Sequence, residues 1–481
     1  VHLVALVNPP TGRYAAAWRH PAAAGNWLSA DFYADLARTL ERGRFDMMFF
    51  PDALAVPEDH AGATGTTLRT GGKGAIHLDP LTLASAALAA TTRIGVGATV
   101  STTFVPPYAI ARSMLSLDHL SGGRAAWNIV TSHSDAEARN FGLPELPPKD
   151  ARYDHADRVV QTVLDLWDTW RPDALRLDAA GGVFADPTRV GRIPDRGAGA
   201  PGASGGPGES GASRGSGGSV ASRGSGASGG PGGSSEETSD EAPTTPLSRG
   251  PLSLPASPQG RPVLMQAGAS ARGKEFAARW AEVVFVVADD ADGMRALRTE
   301  LRDRARSAGR DPDRLKVLPA IQPVAAATDA AAAAHLAGMT DLLDPVETLR
   351  YLARLLHAEH LDPDAPGADA VEAHRGATGS TGFEDMLIRA CRRESLTVQQ
   401  LADRQAISQL GPLPTGSPQT VADELCGLVE TGAADGFVVM ATVYPDSFDR
   451  FVEHVVPELQ RRGHLRRDYA GPTLREHLGL R

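Results

Sequence analysis

Residues 45–50 read Phe45-Asp-Met-Met-Phe-Phe50, and Pro51-Asp52 follow at once. An apolar run with no polar alternation is the pattern of a strand buried on both faces, as in a parallel sheet covered by helices. Outward from it, similar short apolar runs recur at 3–7, 94–100, 124–130, 262–266, 283–287, 315–321 and 436–440. Helical patterns lie between them. Ser29 can cap a helix that carries Phe32, Leu36 and Leu40 on one face, and Gly43 stands where a C-terminus favours a left-handed residue. Asp79-Pro80 opens a second helix, and Pro106-Pro107 a third that runs to Leu120 and stops at Gly122-Gly123. Residues 154–170, 276–279 and 292–308, and the stretch carrying Phe448, Phe451, Val452 and Val455, supply others. Eight strands alternating with helices predict an α/β chain folded as a (β/α)8 TIM barrel.

Two segments interrupt that rhythm. Residues 197–248 are mostly Gly and Ser with scattered Pro and almost no large apolar residue. They cannot bury enough surface to offset the entropy of ordering, so they read as a disordered low-complexity insertion. The rhythm continues on both sides, which argues against a linker between two domains. Residues 328–414 are mostly helical and too long for a connection. They read as a helical insertion before the last strand, a candidate lid over the barrel's C-terminal mouth. Residues 1–481 therefore read as one barrel domain with two insertions.

Composition narrows the function. The 481 residues carry 48 Lys+Arg against 58 Asp+Glu, a formal net charge of −10, which is unsuited to a polyanion partner. Aromatics at 5% give no stacking platform for single strands. Two cysteines, Cys391 and Cys426, make neither a disulfide framework nor a four-ligand zinc site. No apolar run reaches the ~18 residues of a membrane helix, and no secretory leader is evident at residues 1–6. The expectation is a cytoplasmic protein with no nucleic-acid or membrane partner.

In a barrel, working residues sit at the C-terminal strand ends. Asp52 follows the second strand, and Thr99 and Ser101 end the third. Asn128, Thr131 and Ser132 close the fourth, and Gln266 and Ser270 follow the fifth. These are mostly neutral hydrogen-bonding groups. No hydrolytic triad or His-Glu-x-x-His pair is present, and His20, His60, His77, His119, His133 and His155 show no ligand spacing, so no metal is expected. Such a set suits a site where a cofactor carries the chemistry. Gly268-Ala-Ser-Ala-Arg-Gly273-Lys274 matches the phosphate-cradling loop of nucleotide hydrolases, and an apolar strand ending near Asp289 resembles their second motif. Glu275, however, occupies the position of the magnesium-binding hydroxyl. What remains is a helix N-terminus that, with Ser270 and Arg272, can seat one phosphate monoester.

The runs Asp46-Met-Met-Phe-Phe-Pro-Asp52, Trp127-Asn-Ile-Val-Thr-Ser132 and Arg152-Tyr153 are familiar in combination. So are Ser257-Pro-Gln-Gly-Arg-Pro-Val-Leu-Met-Gln-Ala-Gly-Ala-Ser270, Ala433-Ala-Asp-Gly-Phe437 and Val456-Pro-Glu-Leu-Gln-Arg-Arg-Gly463. Together they resemble the bacterial luciferase-like flavin monooxygenases, in the branch of nitrilotriacetate monooxygenase component A, dibenzothiophene-sulfone monooxygenase and long-chain alkane monooxygenase. The resemblance runs nearly end to end, outside the Gly/Ser insertion. It implies a barrel that takes reduced FMN (FMNH2) from a separate NAD(P)H:flavin reductase. Oxygen adds to that flavin, and the resulting flavin peroxide oxygenates a small organic substrate. Carried over by motif, the FMN contacts are Asp52, Thr99, Tyr153 and Ser270, with Asn128 in a further family motif. No catalytic side chain is singled out, and a homo-oligomer is expected.

Two departures stand out. Four residues before the motif tyrosine, relatives carry histidine and this chain has Lys149, which can still donate to the flavin or its phosphate. Low-complexity sequence also replaces the His-containing aromatic segment that relatives place before Arg249-Gly-Pro-Leu252, which bears on the access route and the substrate wall. Two other readings accompany the monooxygenase: a barrel that binds flavin without turning over, and a deazaflavin (F420)-dependent oxidoreductase.

Overall fold

A computed structural model describes residues 1–480 except 9–11, 59–62, 72–74, 195–246, 269, 379–380 and 409–410. Eight parallel strands close into a barrel: β1 (His2–Leu6), β2 (Met47–Phe50), β3 (Gly95–Ser101), β4 (Ala125–Val130), β5 (Val263–Gln266), β6 (Val283–Val286), β7 (Lys316–Ile321) and β8 (Gly436–Met440). Each coincides with a predicted run to within one or two residues. The ring follows chain order, and it is sealed where His2 pairs with Gly436 and Leu6 with Met440. Helices α1 (Ala30–Arg42), α2 (Pro80–Ala89), α3 (Pro107–Leu120), α4 (Lys149–Trp167), α5 (Ala271–Trp280) and α6 (Ala291–Ser307) cover the outside.

Side chains alternate between two cores, which is why the strands are apolar throughout. Val4, Leu6, Met47, Phe49, Val263, Met265, Leu318 and Val438 fill the interior. Leu3, Ala5, Met48, Phe50, Leu264 and Phe437 pack outward against the helices. At the N-terminal end of the barrel, Leu474, Leu478 and Leu480 join the interior cluster and close it. Arg475 there forks onto Glu282 at 2.8 and 2.9 Å. Asp118 accepts from Ser257 Oγ and, at 2.5 Å, from Gln259 Nε2. The Ser257-Pro-Gln part of the fifth-strand motif thus serves the fold.

Several expectations need correction. The helix expected at 154–170 begins a turn earlier, at Lys149 behind Pro148, and ends at Trp167. The one expected at 276–279 spans Ala271–Trp280, capped by Ser270. Gly43 is not left-handed (φ −73); Arg44 is, at φ +59. Gly43 is required for space, because a Cβ there would lie 2.6 Å from Val452 Cγ2. An antiparallel hairpin, Leu175–Asp178 with Val183–Ala185, was not expected.

The predicted insertion at 197–248 lies outside the described residues apart from 247 and 248. Its flanks are joined, since Ile193 N–H donates to Arg249 C=O at 3.0 Å. Between β7 and β8 the chain forms α7 (Asp329–Asp341), α8 (Pro345–Leu355), α9 (Gly367–Ala373), α10 (Thr381–Glu394) and α11 (Val398–Ser408). A two-stranded parallel pair, Val324–Ala325 with Thr415–Gly416, ties the two ends of this excursion together. The excursion touches the loops that follow three strand ends. Ala15 N–H donates to Ala406 C=O at 2.9 Å, Arg354 to Thr67 Oγ1 at 2.9 Å, and Arg393 pairs with Asp289 at 3.1 Å. No helix among the described residues is long and apolar enough to cross a membrane.

Candidate active site

Two polar groupings occupy the C-terminal ends of β3, β4 and β5. In the first, Thr99 and Asn128 are register partners on β3 and β4, and both are buried. Thr99 Oγ1 donates to Phe50 C=O at 2.8 Å, so its oxygen is left to accept, and Asn128 Nδ2 donates to it at 2.9 Å. This fixes the amide. Asn128 Oδ1 is then a buried acceptor with no partner among the described residues, as is Gln266 Oε1 at the end of β5. Buried acceptors of this kind call for a donor from elsewhere.

The second grouping is built of hydroxyls. Tyr153, one turn into α4 and buried, sets its hydroxyl beside those of Ser270 and Thr131. Burial, the largest influence, raises the phenol's pKa, so the ring keeps its proton. Ser270 caps α5, accepting from Gly273 N–H at 3.1 Å. Three hydroxyls from three elements therefore meet at the positive end of a helix.

Asp52 follows β2. Desolvation lifts its carboxyl to about 6, and Asp79 and Glu137 push in the same direction against a hydrogen bond from Ala53 N–H. Glu137 is the residue the sequence reading missed here. It is buried and accepts from Leu54 N–H at 3.3 Å and from His133 and Ser134 N–H at 2.9 and 3.1 Å, stapling Asp52's loop to the loop after β4. Its signal was present as the capping box Ser134-x-x-Glu137. Ser132, in the same loop, holds φ +59 and shares a 2.9 Å hydrogen bond with Ser101.

Lys149 is exposed at the first residue of α4, one turn before Tyr153, and makes no ion pair among the described residues, Asp150 included. Arg272 is not available to a phosphate. It bonds Asp157 at 2.5 Å and Asp154 at 2.9 Å, with its guanidinium carbon 5.6 Å from the centre of the Tyr153 ring. Lys274 is held by Glu300 at 2.7 Å, and Asp289 faces Arg393, so neither hydrolase-like feature serves a nucleotide.

A barrel mouth with neutral hydrogen-bonding groups and a helix N-terminus, and no nucleophile–base pair among the described residues, suits an enzyme whose cofactor carries the chemistry. The profile of the luciferase-like monooxygenase family matches residues 12–206 and 234–435. The chain belongs to that family, and it is a flavin-dependent monooxygenase. It is 38% identical to dibenzothiophene-sulfone monooxygenase of Rhodococcus erythropolis, over 97% of this chain and 93% of that one. It is 33% identical to nitrilotriacetate monooxygenase component A of Aminobacter aminovorans, over 98% and 94%. The crystal structure of a riboflavin lyase with modified FMN and its substrate riboflavin superposes with a TM-score of 0.79 at 29% identity, covering 100% of this chain and 96% of that one.

Proposed function

We propose that this chain is the oxygenating component of a two-component system. It receives reduced FMN from a separate NAD(P)H:flavin reductase and uses O2 to oxygenate a small organic substrate. The observation that carries this reading is the meeting of Tyr153, Thr131 and Ser270 at the N-terminus of α5. Hydroxyls and a helix N-terminus are a seat for a phosphate monoester. The unpartnered Asn128 and Gln266 oxygens fit a ligand that brings ring N–H donors, as a flavin does. The family match and the FMN-bearing structural neighbour agree with both.

In this reading Ser270, Tyr153 and Lys149 hold the phosphate end. Asn128, oriented by Thr99, accepts from the ring. Asp52, titrating near neutrality, either accepts from a ring N–H or donates to a carbonyl. Bound reduced FMN supplies the electrons that activate dioxygen. The helices between β7 and β8 exclude water from the mouth, a role supported by their contacts with three of its loops. The test is anaerobic titration of the purified protein with reduced FMN and with a reduced deazaflavin. Tight binding of FMN is expected, followed by oxygenated product when a flavin reductase, O2 and a substrate panel are added. Uptake of the deazaflavin alone overturns the reading, and so does FMN bound without product across the panel.

A further inference from the structure

The loop after β1 carries a cation that no carboxylate among the described residues neutralises. Gly12, at φ +142, lies so close to the segment after β8 that a Cβ would fall 1.9 Å from Thr442 O. The next residues are fixed by backbone bonds. Arg13 N–H donates to Ala441 C=O at 3.1 Å, Tyr14 N–H to Thr442 C=O at 3.4 Å and Ala15 N–H to Ala406 C=O at 2.9 Å. Arg13 is thus held between the end of β8 and the excursion before it. Tyr351 of α8 and Tyr444 lie near its guanidinium.

Arg13 is half-buried, and its Nε is closed off without a partner. Among the described residues its guanidinium makes no hydrogen bond and no ion pair. Arg124 shows the usual arrangement in this same protein, with all five of its N–H donors placed on Ser121, Thr91, Ile94 and Leu88 oxygens. Arg475 is forked on Glu282. A guanidinium fixed on a rigid backbone, with its Nε closed off from water and unbonded, is costly unless a ligand supplies the anion. Burial lowers the pKa of both Arg13 and nearby His77; Arg13's charge adds to the effect on His77, whose Nδ1 is likewise buried without a partner.

We infer that Arg13 receives an oxyanion group of the substrate, a carboxylate or sulfonate, so that this monooxygenase acts on organic anions. This rests on the proposed function and names the substrate class of that site. A guanidinium takes a carboxylate through two parallel hydrogen bonds. A chain of net charge −10 needs a local cation to hold an anion at all. The phosphate of FMN is the other source of an oxyanion. Its proposed seat lies at the ends of β4 and β5, on the far side of the ring from β1 and β8.

The test compares benzoate and hexanoate with benzamide and hexanamide, by calorimetry on the full chain with and without FMN. Each carboxylate is expected to bind at least tenfold more tightly than its amide. Arg13→Met should erase that preference and Arg13→Lys should keep part of it. FMN affinity should stay within twofold in both variants. The melting temperature of Arg13→Met should be unchanged or higher, because a half-buried charge with no ion-pair partner among the described residues has been removed. Equal binding of acid and amide, a preference that survives Arg13→Met, or a lower melting temperature overturns the inference. A tenfold loss of FMN in Arg13→Met assigns the guanidinium to the cofactor and overturns it too. Failure of the parent chain to bind FMN defeats the proposed function instead, while the comparison on the flavin-free chain still reads Arg13.

Discussion

Asn128 and Thr99 face each other across β3 and β4, and the Thr99 hydroxyl decides which way the Asn128 amide points. Because Thr99 spends its hydrogen on Phe50 C=O, the amide must present nitrogen to it and keep Oδ1 for another partner. Thr99→Val should therefore act on flavin binding through Asn128. We expect a loss of about 1–3 kcal/mol in stability, the cost of stranding buried polar groups, and weaker FMN binding. Thr99→Ser should restore both. Thermal melts and flavin titrations of the two variants check this, and unchanged FMN affinity in Thr99→Val would remove the pair from the site.

Ser270→Ala removes a hydroxyl that caps α5 and meets Tyr153. FMN should bind about 1–2 kcal/mol less tightly, the order of a hydrogen bond to a charged group. Riboflavin, which has no phosphate, should bind as before. Loss of the cap should lower stability by about 1 kcal/mol in either case. Parallel titrations with the two flavins separate these effects, and equal weakening of both would put the phosphate elsewhere.

Lys149 shares a face of α4 with Tyr153 but stands in solvent, so its only route to a role is a ligand that enters the mouth. Lys149→Met should weaken reduced FMN by roughly tenfold, the factor that 1.4 kcal/mol represents. Lys149→His should retain binding. Stopped-flow binding of reduced FMN measures both, and a Met variant that binds like the parent places Lys149 outside the site.

Asp52 should give a distinct pH signature. Its folded value of about 6 lies above that of an unperturbed aspartate, so its ionisation opposes folding. Any stabilisation tied to the carboxyl is present below about pH 4 and is lost as pH rises to about 6. Asp52→Asn in the flavin-free protein should match the parent near pH 4. It should gain stability steadily up to about pH 6 and then hold a constant advantage on the order of 1–2 kcal/mol, discounted for partial solvent screening. Denaturant melts across that range decide it, and a flat difference would mean that Asp52 titrates normally.

Glu282 has the opposite sign. Against its desolvation, Arg261 and Arg475 hold its carboxyl down to about 2. Its contribution is complete above about pH 4.5 and fades as pH falls toward 2. Arg475→Ala takes the forked partner from a buried carboxylate and leaves it Arg261 at 3.3 Å, which should cost up to about 3–5 kcal/mol at neutral pH. Chemical denaturation reads the loss, and a change under about 1 kcal/mol would show that the fork is not what closes the barrel's base.

The strands were legible because residues such as Met47 to Phe50 carry apolar side chains on both faces, and only a sheet between two cores asks for that. The hairpin at Leu175–Asp178 was not, since Leu177 and Phe184 are exposed and no burial pattern marks them. The phosphate-like loop misled at Arg272. Its spacing is right, but Asp154 and Asp157, more than a hundred residues earlier, claim the guanidinium. Thr99, Asn128 and Ser270 were readable as strand-end and helix-start groups and Tyr153 only through the family resemblance; the structure bonds the first two and sets the other two side by side. Arg13 was not readable, because what sets it apart is the lack of a partner among the described residues.

The pairing of His2 with Gly436 also has a meaning in time. As the polypeptide is synthesised β1 appears first, and its partner β8 is the last of the eight strands to be made. Until residues 436–440 emerge, one edge of β1 is bare, with Leu3, Val4, Ala5 and Leu6 bound for two cores that do not yet exist. Such an edge is a template for neighbouring chains, and a contact spanning almost the whole sequence is slow to form. The newborn molecule is an unfinished ring until its last strand arrives.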